Sequence, residues 1–237
     1  MSKNIIKKSL LTLGSVFALN ANYTYAAFED MSFGARLGGC ISPSIVSANV
    51  KGKQYEGRLK GTPTGNAFFA YRVSDDVSLG LDVGYVNNGL SMSPSSPADD
   101  NDDYALNVHS LQLNVPVHWM PMEREGGLLL GLKFSTLMSL KTSEKIIGGA
   151  GAASVANNDI AKPFNFGGGV DVRYEIDETG FMICGEYTHF FSHFFDKDSA
   201  GAQNWATAMG GVDLAKQNRL QLVQITLGYD FSRLLED

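Results

Sequence analysis

From Phe28 onward, apolar residues recur at every second position, and the alternation returns in segment after segment. In Gln221 to Phe231, Val223, Ile225, Leu227, Tyr229 and Phe231 share one face, while Gln224, Thr226, Gly228 and Asp230 share the other. Phe164 to Ile176 repeats the pattern: Phe164, Phe166, Val170, Val172, Tyr174 and Ile176 oppose Asn165, Gly167, Gly169, Asp171, Arg173 and Glu175. Val77 to Tyr85, Leu111 to Trp119 and Leu128 to Leu140 behave alike, and Phe33 to Ile41, Ala67 to Val73 and Phe181 to Phe191 keep a mainly apolar parity. A period of two belongs to a strand whose two faces meet different surroundings. The pattern predicts eight strands.

The connections alternate in length. Short turns are predicted at Ser74 to Asp76, Pro121 to Gly126 and Asp177 to Gly180, and long links at Pro43 to Gly61, Ser91 to Tyr104, Thr142 to Lys162 and Asp196 to Gln217. Antiparallel neighbours taken in sequence gather the short turns at one end and the long loops at the other. An even set of amphipathic strands so arranged is the signature of a bacterial outer-membrane barrel. In hydrocarbon every backbone donor and acceptor must be paired within the protein, so the sheet has to close, here Phe33 to Ile41 against Gln221 to Phe231. The fold class expected is therefore all-β: an eight-stranded antiparallel up-and-down transmembrane β-barrel.

Its soluble rival is a lipocalin-like ligand binder, also a closed barrel, which places apolar residues inside. Three features favour the membrane. The polar parity is crowded with small residues such as Gly34, Gly38, Gly131, Gly167, Gly169 and Gly228, as a cramped lumen requires. The apolar parity carries aromatics near strand ends, with Tyr85, Trp119, Tyr174, Phe181, Tyr229 and Phe231 read as interfacial girdles. Parity also turns Arg36, Arg72, Lys133 and Arg173 inward beside Asp82, Asp171, Glu175, Glu186 and Asp230, a set suited to a paired lumen network.

Composition narrows the function. The formal net charge of −6 argues against a nucleic-acid partner. No window of about 18 apolar residues exists to span a bilayer as a helix. Lys3, Lys7 and Lys8 precede the apolar run Leu10 to Leu19, and Thr24-Tyr25-Ala26 supplies a cleavage site. Residues 1–26 thus read as a cleaved signal peptide and 27–237 as the barrel domain. Cys40 and Cys184 face inward on strands that do not adjoin and at different heights, so free thiols are expected.

Candidate chemistry is sparse, and neither a cofactor nor a metal is expected. His189, Ser192, His193 and Asp196 invite comparison with a nucleophile and base, but Phe190, Phe191, Phe194 and Phe195 interleave them and favour a membrane-interface segment over a lipid acyl hydrolase. His109 and His118 have no apparent partner. Asp99, Asp100, Asp102 and Asp103 read as a solvated acidic loop rather than a calcium site. Eight strands leave an interior just wide enough for side chains, which disfavours a large pore. The reading is a structural or surface-interaction protein of the outer membrane with a plugged polar lumen; a small-barrel lipid hydrolase and a narrow channel are the alternatives. Its expected partners are outer-membrane lipid, the barrel-assembly machinery, and an extracellular ligand or secretion-apparatus component met by the loops.

Three segments carry a family likeness. Ser110-Leu111-Gln112-Leu113-Asn114-Val115-Pro116-Val117, Phe166-Gly167-Gly168-Gly169-Val170 and the run Leu220 to Phe231 resemble PorT-like outer-membrane β-barrel proteins of gram-negative bacteria. The resemblance implies a small outer-membrane barrel in which the proline-bearing run opens a central hairpin. One departure is that Ser232 to Asp237 follow the aromatic on which such barrels usually end.

Overall fold

A computed structural model describes residues 30–43, 47–50, 53–94, 103–121, 127–147, 160–176, 179–208 and 219–235. The segment read as a signal peptide and the acidic Asp99 to Asp102 stretch lie outside the described residues. The strands are β1 (Met31–Ser42), β2 (Ser47–Val50), β3 (Lys53–Arg58), β4 (Lys60–Ser74), β5 (Val77–Pro94), β6 (Asp103–Trp119), β7 (Leu128–Ile147), β8 (Phe164–Glu175), β9 (Phe181–Phe190) and β10 (Gln221–Asp230). One helix, α1 (Ala200–Ala208), precedes β10, and a 3-10 turn, Phe231–Leu235, follows it.

Pairing closes a ring. β1 joins β4, β4 joins β5, and each strand to β10 then joins the next, always antiparallel, until β10 returns to β1. The hairpin β2–β3 stands outside this eight-membered ring and extends the far end of β5 through Tyr55 to Arg58. Paired residues followed once around run Ile41, Val223, Tyr187, Val170, Leu132, Val117, Leu79, Tyr71 and Met31, a return to β1 displaced by ten residues. With strands about 4.8 Å apart and about 3.3 Å of rise per residue, that stagger tilts them by roughly 40° around a radius of roughly 8 Å. The interior can hold side chains and little else.

Orientation separates the two barrel readings. The apolar row faces outward: Leu37 is 73% exposed, Leu132 70%, Leu227 64% and Ile225 62%, while Arg36, Gln224, Ser135 and Thr188 on the opposite parity are buried. This is a transmembrane arrangement, and the lipocalin-like alternative is overturned. Such an exterior belongs in acyl chains, since a contiguous apolar surface of this extent is not stable against water.

The rule reverses at one end. On β5 the outward residues of the belt are Leu79, Val83 and Tyr85, but above them Val86, Leu90 and Met92 turn inward and are buried. On β6, Leu111 to Trp119 keep their apolar members outward, whereas Leu106 and Val108 are fully buried inside. There the chain builds an ordinary apolar core from Cys40, Leu137, Phe190, Leu222, Ile160, Phe194, Phe195 and Trp205, capped by α1. The physical cause is a change of solvent: inside the bilayer the exterior is oily, and beyond it water surrounds the wall, so apolar side chains swap faces.

Candidate functional site

The lumen holds a web of ion pairs at mid-height. Arg36 comes from β1, Asp82 from β5, Lys133 from β7, Asp171 and Arg173 from β8 and Glu186 from β9. Arg36 donates through Nη2 to Asp82 Oδ2 at 2.6 Å and through Nη1 to Glu186 Oε1 at 2.8 Å. Lys133 pairs with the other oxygen of Glu186, and Arg173 reaches Asp82 Oδ2 at 3.1 Å and Asp171 Oδ2 at 3.2 Å. Three cations therefore meet three carboxylates. The guanidinium carbons of Arg36 and Arg173 also lie 5.6 and 5.7 Å from the ring centroid of Phe68, a quadrupole that favours cations.

His118 joins this web, a partner not apparent from sequence. Its Nε2 lies 2.7 Å from Asp171 Oδ2. The register explains the contact: His118 pairs with Gly131, and Gly131 with Asp171, so the two polar side chains meet across a position that has none. A Cβ on Gly131 would fall 2.1 Å from Asp171 Oδ1 and 2.7 Å from His118 Cδ2. Gly228 makes similar room for Arg36, whose Cγ lies 2.5 Å from where its Cβ would be. Above the web, Ser135 donates to Asn114 at 2.7 Å, and Gln224 donates to Thr64 and Gln112 at 3.2 Å each.

The remaining charges read as luminal lie at the short-turn end. Asp230 is buried and accepts hydrogen bonds from Ser32 of β1 and from Ser232 N and Oγ at 2.9 and 2.7 Å. It ties the first strand to the last and caps the 3-10 turn. Arg72 and Glu175 are only half-buried there, outside the central web. Of the aromatics, Trp119, Tyr174, Phe181 and Phe231 are exposed and Tyr229 half-exposed around this same end; Tyr85 is exposed at the other. Phe181 packs edge-on to Tyr229 at 5.0 Å.

Ser192, His189 and their neighbours do not assemble a nucleophile and base among the described residues. Ser192 Oγ donates to Asn165 Oδ1 at 3.1 Å and accepts from Phe166 N at 2.9 Å, tying the segment after β9 to β8. His189 instead packs against Phe191, ring centroids 5.6 Å apart. Cys40 and Cys184 are buried free thiols.

One buried cation has no carboxylate partner among the described residues. Lys60, first residue of β4 and above the apolar belt, donates to Asn88 O at 2.6 Å, Leu106 O at 3.0 Å and Asn87 Oδ1 at 3.4 Å. Burial, partly offset by Cys40, pushes its pKa down to about 8. It is tied to a backbone irregularity, since Gly89 adopts φ +126° and a Cβ there would lie 2.0 Å from Leu106 O.

No protein-family model and no curated protein matches the chain. Among solved structures it is similar to Ail, the attachment invasion locus protein of Yersinia pestis, at 10% identity and TM-score 0.40, over 85% of this chain and 99% of that one. It is also similar to the outer membrane protein OprG of Pseudomonas aeruginosa (11%, TM-score 0.42, 85% and 96%) and to Neisserial surface protein A (11%, TM-score 0.40, 83% and 96%).

Proposed function

We propose that the chain is an integral outer-membrane barrel, exported by cleavage after Ala26, whose role is structural or surface-interacting rather than catalytic or conductive. The observation that carries this is the division of the molecule into an oily exterior belt, a lumen filled at mid-height by mutually paired charges, and an apolar core across the far mouth. A wall of this kind is a stable mount. The end bearing the hairpin β2–β3 and α1 would face the outside and meet a ligand or partner, and the short-turn end, where β1 begins and β10 ends, would face the periplasm. Barrel-assembly machinery and outer-membrane lipid are the partners this topology calls for. The PorT-like affiliation rests on the likeness of Ser110 to Val117 and Leu220 to Phe231, which lie on the belt-forming strands β6 and β10.

The test is membrane fractionation together with migration on denaturing gels with and without boiling. An outer-membrane fraction that shifts on heating is expected; a soluble, non-shifting protein overturns the reading. Planar-bilayer recordings should give no steady conductance, and His189→Ala with Ser192→Ala should leave membrane lipids unchanged. Steady channel current would establish the narrow-channel alternative, and altered lipid turnover the hydrolase.

A further inference from the structure

Around Gly38 the lumen gathers polar atoms that the ion-pair web does not use. Arg36 spends Nη1 on Glu186 and Nη2 on Asp82, but its Nε, also buried, has no partner. The Thr226 hydroxyl and the side-chain oxygens of Asn66 and Gln224 are likewise buried without one. Arg36 is 0% exposed, Thr226 1% and Gln224 2%, so bulk solvent does not reach them. A buried polar group left unpaired costs about 1–3 kcal/mol, and four in one neighbourhood call for something that satisfies them together.

The register places the four side by side. Arg36 pairs with Asn66 across β1 and β4, and Thr226 of β10 pairs with Gly38, two residues above Arg36 on the same inner face of β1. Gln224 comes next along that face of β10. Its amide nitrogen reaches past Gly38, a position without a side chain, to Thr64 Oγ1 of β4 and Gln112 Oε1 of β6, at 3.2 Å each. Those bonds use both hydrogens of the nitrogen. Because Gln112 Nε2 donates to Asn114, the atom Gln112 offers to Gln224 is an acceptor, which fixes the orientation of the Gln224 amide and leaves its oxygen over.

The set comprises a donor in Arg36 Nε, a hydroxyl in Thr226, and two acceptors in Asn66 Oδ1 and Gln224 Oε1. A cation placed there would meet the guanidinium, and an anion would meet two amide oxygens. Only a molecule that both donates and accepts suits all four, and in a lumen this narrow it has to be small. Water meets both conditions, since a buried water makes two to four hydrogen bonds to polar groups of just this kind.

We propose that the lumen binds one long-lived water molecule beside Gly38, accepting from Arg36 Nε and Thr226 Oγ1 and donating to Asn66 Oδ1 and Gln224 Oε1. The site joins the charged web to the neutral layer of Thr64, Gln112, Asn114 and Ser135, so that the polar lumen is one connected network. With the web beneath it and the apolar core above, this water leaves only when the barrel opens. The proposal goes beyond the surface role and does not depend on it.

The test is nuclear magnetic resonance of the full chain in detergent micelles, read at the Arg36 Nε proton. A cross-peak to water with the sign of slow residence is expected. Thr226→Val, which trades the hydroxyl for a methyl group of similar size, should speed exchange of that proton with solvent by about fivefold or more. Thr226→Val and Asn66→Ala lie on strands separated by β1, yet their effects on the unfolding equilibrium should depart from additivity by at least about twofold. No water cross-peak at the Arg36 Nε proton overturns the proposal, as does a scalar coupling showing a direct bond from that proton to Asn66. Additive variants overturn it too. Heat-modifiable migration checks that each variant is folded, and the wild-type spectrum decides the matter if one is not.

Discussion

Replacing Arg36 by Met removes the group that joins two halves of the luminal web. Arg36 is fully buried and bonds Asp82 at 2.6 Å and Glu186 at 2.8 Å. After the change, Asp82 keeps only Arg173, at 3.1 Å, and Glu186 keeps only Lys133. Three carboxylates then face two cations, and one negative charge stays uncompensated in a place water does not freely reach. Breaking a buried pair in this way costs about 3–5 kcal/mol. With a urea slope of about 2 kcal/mol per molar, the unfolding midpoint in detergent should fall by roughly 2 M. The double variant Arg36→Met/Glu186→Gln restores charge balance, since Lys133 and Arg173 then face Asp82 and Asp171. It should be more stable than the sum of the single changes by about 1–3 kcal/mol. Boiled and unboiled gel migration with tryptophan fluorescence follows each transition. Single variants that add within about 0.5 kcal/mol, or an Arg36→Met cost below about 1 kcal/mol, would refute the claim that charge compensation holds the lumen together.

Gly131→Ala should destabilise the barrel by about 1–3 kcal/mol through the collision with Asp171 and His118, measured by the same unfolding assay. Leu132→Arg, at the exposed middle of the belt, should cost about 2–4 kcal/mol in lipid bilayers, and a neutral result there would count against membrane burial of that face. Trp205→Ala, which removes the ring stacked on Phe195 at 5.1 Å, should loosen the apolar cap by about 3–5 kcal/mol, seen as faster proteolysis near α1 while heat-modifiable migration persists. Lys60 titrates lower when folded, about 8, than its ordinary 10.5, so between those values the unfolded chain binds more protons. Stability should therefore rise by up to ~3 kcal/mol as pH climbs through that window, and Lys60→Met should flatten the rise.

The eight ring strands were legible because each spends most of its length between two unlike surroundings, which writes a period of two into the sequence. Orientation was legible for a related reason: glycines such as Gly131 and Gly228 make sense only where large charged side chains crowd together. The upper extensions of β5 and β6 were not, because in Val86 to Met92 and Leu106 to Val108 the apolar residues change parity and the alternation breaks. The hairpin β2–β3 is short and polar and draws its support from pairing with β5. Helix α1 has a weak apolar face, although Ser199, whose Oγ accepts from Ala202 N at 3.0 Å, was a usable start signal. His118 faced inward by parity, but its partner depended on the register of three strands, which parity alone does not fix.

The apolar cap has a consequence for how the molecule stays in place. It assembles beyond the apolar belt, and it includes a helix and the stacked rings of Phe195 and Trp205. Once formed, it behaves as a rivet head: drawing the strands back would require dismantling a water-side core first. Insertion and retention are thus separate events, the second secured only when Phe195 and Trp205 have stacked.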